Sequence, residues 1–201
     1  VVFQIEKKDV TIGEPLLEIK DVHADNERGQ PALCGVSLCL HKNEILGMAG
    51  VSGNGQRELF DVLAGVGKAT SGQVLLKGAE ITNRSPNYIA RQGLATVPED
   101  RIHQGLVMDF GVDENLVLGL HHKQPFSRSG FMNRKDVDAF AEEMVDNYEI
   151  ATPSVTQTTK VLSGGNLQKI ILARELSQEP KCLIVSQPTR GLDVGATEYV
   201  R

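Results

Sequence analysis

Residues 50–59 read GVSGNGQREL. Ahead of them lies an apolar run, residues 44–49 (EILGMA), with the composition of a buried strand, and residues 58–64 (ELFDVLA) behind them begin a helix. Strand, glycine-rich turn and helix together make the setting a phosphate-binding loop requires: backbone N–H groups curl around an anion and the helix N-terminus adds partial positive charge. Gly50 and Gly55 take the two glycine places of G-x-x-x-x-G-K-S/T, and Gly53 is a third position free to adopt positive φ. The lysine place is held by Gln56 and the hydroxyl place by Arg57; Ser52, Asn54 and Glu58 complete the candidate set. Such turns also occur as plain tight connections with no ligand, so this stretch alone leaves both readings open.

A chain of 201 residues, 40% hydrophobic and 23% charged, is long enough for one full core and short for two. A net charge of -5 and a pI near 5.6 lack the clustered lysine and arginine of a nucleic-acid footprint, so no nucleic-acid partner is expected. Cys34, Cys39 and Cys182 sit in or beside apolar runs without paired spacing, which suggests neither zinc nor disulfides and fits a reduced compartment. No run approaches the roughly 20 apolar residues of a spanning helix, and the N-terminus has no signal pattern. A membrane role is therefore expected to run through a protein partner.

Residues 1–15 are expected to be a linker, polar and punctuated by Gly13 and Pro15. Residues 16–22 (LLEIKDV) have strand composition, 26–31 (NERGQP) form a turn, and 33–40 (LCGVSLCL) give a second strand, which predicts a small antiparallel sheet beside a parallel one. After the loop helix come a glycine-rich connection at 65–72 and a short strand at 73–77. A helix at 85–92 follows, capped by Ser85 with Pro86 first, and then a strand at 94–97.

From Glu99 the character changes. Residues 113–120 and 133–148 read as helices, with 121–130 as loop between them. The second is capped by Asn133 and carries Val137, Phe140, Ala141, Met144, Val145 and Tyr148 at helical spacing. This looks like a helical insertion, about residues 99–161, in an otherwise alternating chain. Residues 152–159 (TPSVTQTT) form a loop that opens onto LSGGNLQKIILARELS at 162–177, where Ser163 caps a helix with a core stripe through Leu167, Ile170, Ile171 and Ala173. Residues 182–185 (CLIV) read as a fully buried strand, and 191–201 begin a further helix.

Three stretches now stand in one order: GVSGNGQREL, LSGGNLQK and LIVSQPTRGLDVGA. The second resembles the signature motif of ATP-binding cassette (ABC) proteins, and the third resembles their Walker B strand with the D-loop behind it. The resemblance covers residues 16–201 and implies an α/β P-loop NTPase fold with a parallel core sheet, an antiparallel β arm and an inserted α-helical subdomain. LSGGN with QPTRGLDVGA is similar to the second cassette of bacterial import ATPases that carry two cassettes on one chain, nucleoside importers first and ribose or other simple-sugar importers behind.

That resemblance implies a head-to-tail pair of cassettes with each ATP between one partner's phosphate loop and the other's signature. Leu162, Ser163, Gly164, Gly165, Asn166 and Gln168 would then face the partner's nucleotide, and Asp193 would be the D-loop aspartate. The family places an acidic pair in Walker B for magnesium and for the attacking water; here those positions are Ser186 and Gln187, so Mg2+ is doubtful and ATP binding weak or structural. A neutral amide cannot take up a proton as a general base. Arg57 either stands near the β phosphate in place of magnesium or is a surface arginine.

The family's adenine-stacking ring would fall near Asn26, and no aromatic occurs between Phe3 and Phe60. Glu99 takes the Q-loop place, where it or Arg101 would pair with a charge on a membrane permease. The expected partners are the first cassette of the same chain, permease subunits and, indirectly, an extracytoplasmic solute-binding protein, at the cytoplasmic face of the bacterial plasma membrane. A catalytically active ATPase domain and a soluble non-transport ABC protein are the alternative readings.

Overall fold

A computed structural model of the chain describes residues 10–51 and 53–192 and divides them into two compact units. The first comprises the described residues up to Thr96 together with Pro180–Ile184; the second comprises Val97–Glu179 and the described residues from Val185 on.

The first unit is built on an antiparallel sheet in the order β2-β1-β3-β4. Its members are β1 (Pro15–Asp25), β2 (Pro31–His41), β3 (Ser71–Leu76) and β4 (Ala79–Glu80). Alternation along β1 puts Leu17 and Ile19 on the buried face, opposite Leu40 and Leu38 of β2 and Leu76 and Val74 of β3. Between Ile19 and Val22 the register slips, with Asp21 at φ 48°; Gly72 passes so close to the Asp21 carbonyl that a Cβ there would overlap it. Helix α1 (Gln56–Ala64) lays Leu59, Val62 and Leu63 into the same core.

Helix α2 (Pro86–Arg91) starts as its sequence predicts, with Pro86 in its first turn and the Ser85 hydroxyl accepting from the Tyr88 N–H at 3.4 Å. It leads to β5 (Leu94–Val97), which pairs with β8 (Cys182–Val185). Lys181 and Cys182 N–H donate to the Gly93 carbonyl at one end and Ser186 N–H to that of Val97 at the other, so the two strands run parallel.

Two expectations for this region are corrected. Residues 44–50 form no strand, and Ile45, Leu46 and Met48 are exposed, Ile45 at 98%. An apolar run becomes a strand only where a neighbour takes its backbone groups, and among the described residues β5 and β8 pair with each other alone. The same shortage of neighbours leaves β8 buried only at Cys182, with Val185 exposed.

The second unit is helical. A single wide turn, Arg101–Gly105, is followed by α3 (Val112–Leu116), α4 (Arg134–Asn147) and α5 (Gly164–Leu176). Helix α3 is shorter than the expected 113–120, and the expected loop at 121–130 contains part of a small hairpin, β6 (Ser127–Arg128) with β7 (Phe131–Met132). Buried Asp113 on α3 accepts from Arg134 at the start of α4 at 2.7 Å, tying the two helices by a charged hydrogen bond. Along α4 the apolar stripe buries Val137, Ala141 and Met144; along α5, Leu167, Ile170, Ile171 and Ala173 are buried.

Candidate functional site

In the loop ahead of α1, Gly53 and Gly55 take φ 89° and 90°, the left-handed region that the glycine spacing predicts. A Cβ on Gly55 would stand 2.7 Å from the Ala32 carbonyl and 2.9 Å from Leu33 Cδ2, so the loop closes against β2 only because that side chain is absent. Gly55 caps α1 with no side-chain acceptor, and Glu58 puts a carboxylate in its first turn, where the helix dipole favours it. Asn54 N–H donates to the Val51 carbonyl at 3.3 Å. Ser52 lies outside the described residues.

Gln56 folds back across the turn. Its Nε2 donates to the Val51 carbonyl at 3.4 Å and occupies the space where a Cβ on Gly50 would lie. A neutral amide therefore lies over the loop and carries no charge to offer a phosphate.

Arg57 turns away from the loop toward the β1–β2 turn, with Nη2 2.7 Å from Glu27 and Nε 3.7 Å from Asp61. Arg57 is exposed and paired with these carboxylates. It lines a cavity of about 420 Å³ with Asn26, Glu27, Asp61 and neighbours. Burial pushes the Asp61 carboxyl above its ordinary value, with Arg57 pulling the other way. Asn26, where the sequence reading seeks a stacking ring, accepts from Arg28 and Gln30 N–H at 2.9 and 3.1 Å and so builds the turn.

At the start of α5 the arrangement is different. Ser163 is exposed; its hydroxyl accepts from Asn166 N–H at 3.4 Å and from Asn166 Nδ2 at 3.1 Å, which leaves the hydroxyl proton free to donate outward. Asn166 Oδ1 in turn takes the Ala151 N–H at 2.9 Å. Leu162, Gly164 and Gly165 are half-buried around the cap. Gln168 departs from this group: it is buried, and its Nε2 has no hydrogen-bond partner among the described residues. Sequence reasoning set it beside Ser163, whereas the turn of the helix carries it to the covered side.

Beyond β8, Ser186 is tied by its N–H to Val97, and exposed Gln187 stands at φ 45° with its carbonyl accepting from Arg190 N–H at 3.0 Å. Glu99, the Q-loop position, is met inside its own unit by the Arg190 guanidinium. Arg101 donates to the Arg190 carbonyl at 2.9 Å and to that of Gly191 at 3.3 Å. Arg190 was not among the sequence candidates; its contacts cross about 90 residues of chain and leave no local pattern. Asp193 lies outside the described residues.

Among the described residues the donor set does not suit a divalent cation. Ser186 and Gln187 offer no carboxylate, Glu27 and Asp61 are engaged by Arg57, and no group of three His, Cys, Asp or Glu among the described residues could hold a metal. His23, His41 and His103 each lie beside a carboxylate: Asp21, Glu44 and Asp100 at 3.3, 3.0 and 2.8 Å.

A glycine-rich loop opening a helix, an antiparallel arm and a capped LSGGN turn are together the architecture of an ATP-binding cassette. A nucleotide-free cassette from an ABC transporter superposes with a TM-score of 0.76 at 23% identity, over 93% of this chain and 74% of that one, which establishes the fold. Residues 33–190 match the family described as ABC transporter, and the chain belongs to that family.

Among curated relatives, the nucleoside import ATP-binding protein NupA of Lactococcus lactis is 42% identical over 100% of this chain and 40% of its own length. The glucose import ATP-binding protein TsgD13 of Haloferax volcanii is 40% identical, over 100% of this chain and 37% of its own. The chain thus spans about two fifths of the length of these relatives.

Proposed function

We propose that this chain is the second, degenerate cassette of a two-cassette bacterial importer ATPase, lending its signature to a catalytic partner cassette while running no hydrolysis of its own. The observation that carries this is the contrast between its two glycine-rich turns. Ser163 presents a capped, outward-facing hydroxyl at a helix start, the geometry that suits a γ phosphate supplied by another chain segment. The phosphate loop has a neutral amide over it and an arginine already paired with two carboxylates.

In the catalytic step the residues here act on a phosphate held elsewhere. Ser163 would hydrogen-bond a γ oxygen through its hydroxyl, and the Gly164 and Gly165 N–H groups at the start of α5 would add donors beside it. On this chain's own loop, Gln56, Arg57, Ser186 and Gln187 replace groups that would bring charge to the phosphates and take a proton from water. Each lost electrostatic contact of this kind costs roughly 3 kcal/mol. Even non-additive, losing all of them leaves turnover near background.

In this reading residues 1–15 are a linker, 16–201 the cassette and about 99–161 its helical subdomain. ATP binds its loop weakly or structurally, without a magnesium site on the residues described. The partners are the first cassette, permease subunits and, through them, an extracytoplasmic solute-binding protein, at the cytoplasmic face of the plasma membrane. Nucleosides are the first candidate solutes, as in the name of the Lactococcus lactis relative, and simple sugars the second. The test is steady-state ATP hydrolysis by the purified chain with and without Mg2+. Background rates in both are expected; robust Mg2+-dependent turnover would instead identify an active ATPase domain.

A further inference from the structure

We infer that Arg101 is a positioning residue that fastens the turn following β8 to the start of the signature helix, so that the two respond together to whatever occupies either one. The wide turn that carries Arg101 is itself closed from below. The Asp100 carbonyl accepts from Gln104 and Gly105 N–H at 3.0 and 3.1 Å, and its carboxylate accepts from Ile102 and His103 N–H, both at 3.0 Å. The turn is then anchored on α5. Buried Arg174 donates to the Gly105 carbonyl at 2.9 Å, and Ile171 packs so closely on Gly105 that a Cβ there would overlap it.

From that anchored base Arg101 reaches the turn after β8 with a forked grip, Nη1 on the Arg190 carbonyl and Nη2 on the Gly191 carbonyl. Glu99 holds the Arg190 side chain, so one residue is held at its backbone and at its guanidinium together. Nη2 also lies between two glycines. A Cβ on Gly164, the first residue of α5, would stand 3.3 Å from it, and a Cβ on Gly191 3.2 Å. Both distances are tighter than most Cβ contacts, so a side chain at either place would require the guanidinium to give by a few tenths of an ångström against its carbonyls. The glycine at 164 therefore has a second duty besides exposing N–H groups: it leaves room for Arg101. A planar guanidinium can hold two carbonyls at once, which a lysine ammonium on a flexible stem does less well.

This inference stands apart from whether the chain hydrolyses ATP. Its test is amide hydrogen exchange of the purified chain followed by mass spectrometry, comparing the parent with Arg101→Met, Arg101→Lys and Gly164→Ala. In Arg101→Met the segment 187–192, whose Arg190 and Leu192 N–H groups bond to Gln187 and Thr189 carbonyls, is expected to exchange about tenfold faster while α4 keeps its rates. Arg101→Lys should fall between, and Gly164→Ala should speed the same segment although the substitution lies more than 20 residues away in the chain. Unchanged exchange at 187–192 in Arg101→Met would overturn the inference. So would an equal rise throughout α4, which makes Arg101 a general fold contact, or a silent Gly164→Ala, which removes the coupling.

Discussion

The turn at residues 50–57 and the turn at 162–168 carry the same kind of sequence, glycines running into a helix, yet the structure supports them unequally. The second has Ser163 as cap and sits on a helix whose Ile170, Ile171 and Ala173 are fully buried. The first follows a stretch with no strand partner among the described residues, has no side-chain cap, and is covered by its own Gln56. Glycine spacing thus encodes the capacity to wrap an anion. Whether that capacity is used depends on charge at the loop and on the packing behind it.

The contrast is broken most directly by truncating an apolar side chain behind each turn. Ile171→Ala, in the core under the signature helix, is expected to cost about 3 to 4 kcal/mol in urea unfolding. Leu46→Ala, in the exposed run ahead of the phosphate loop, is expected to change stability by no more than about 0.5 kcal/mol. Equal costs would mean that residues 44–50 are packed as a strand after all.

A smaller effect sharpens the same comparison through pH. Asp100, beneath the Arg101 turn, is held below its ordinary 3.8 by the His103 backbone and side-chain hydrogen bonds, whereas burial raises Asp61 on the loop helix above that value. The stabilisation from Asp100 is complete above pH 3.8 and is lost as pH falls through its lowered folded value. The Asp61 carboxyl does the reverse: its cost to stability builds up as pH rises from 3.8 to its raised folded value, is complete above that value, and is absent below 3.8. Asp100→Asn should therefore destabilise near neutrality and Asp61→Asn stabilise, each by less than about 1 kcal/mol because both groups see solvent, with both variants converging on the parent in acid. Thermal unfolding across pH 3 to 7 checks the two signs.

Much of this was legible along the chain. The caps at Ser85 and Ser163 are local, an oxygen three residues from the N–H it accepts, so composition alone marks them. The β1–β2 hairpin and the α5 stripe follow from period. What was hidden depends on distant partners. The EILGMA run states a preference for burial but cannot supply the neighbour that grants it. Arg57 meets Glu27 30 residues away, and Arg101 meets Arg190 89 residues away, with no periodicity to announce either contact. Gln168 reads as a signature residue by adjacency, but α5 is covered on the side that carries it, so a polar letter gave no warning of burial.

The proposed division of labour between the two turns is tested most directly in the full-length protein of which this chain would be the second cassette, by steady-state ATP turnover of Gly164→Glu beside Gln187→Ala. The account predicts a loss of roughly 100-fold or more in Gly164→Glu, where a carboxylate enters the phosphate-facing helix start, and near-parent turnover in Gln187→Ala. Parent-like turnover in Gly164→Glu together with a collapse in Gln187→Ala would contradict it, because catalysis would then reside in the half described as inert.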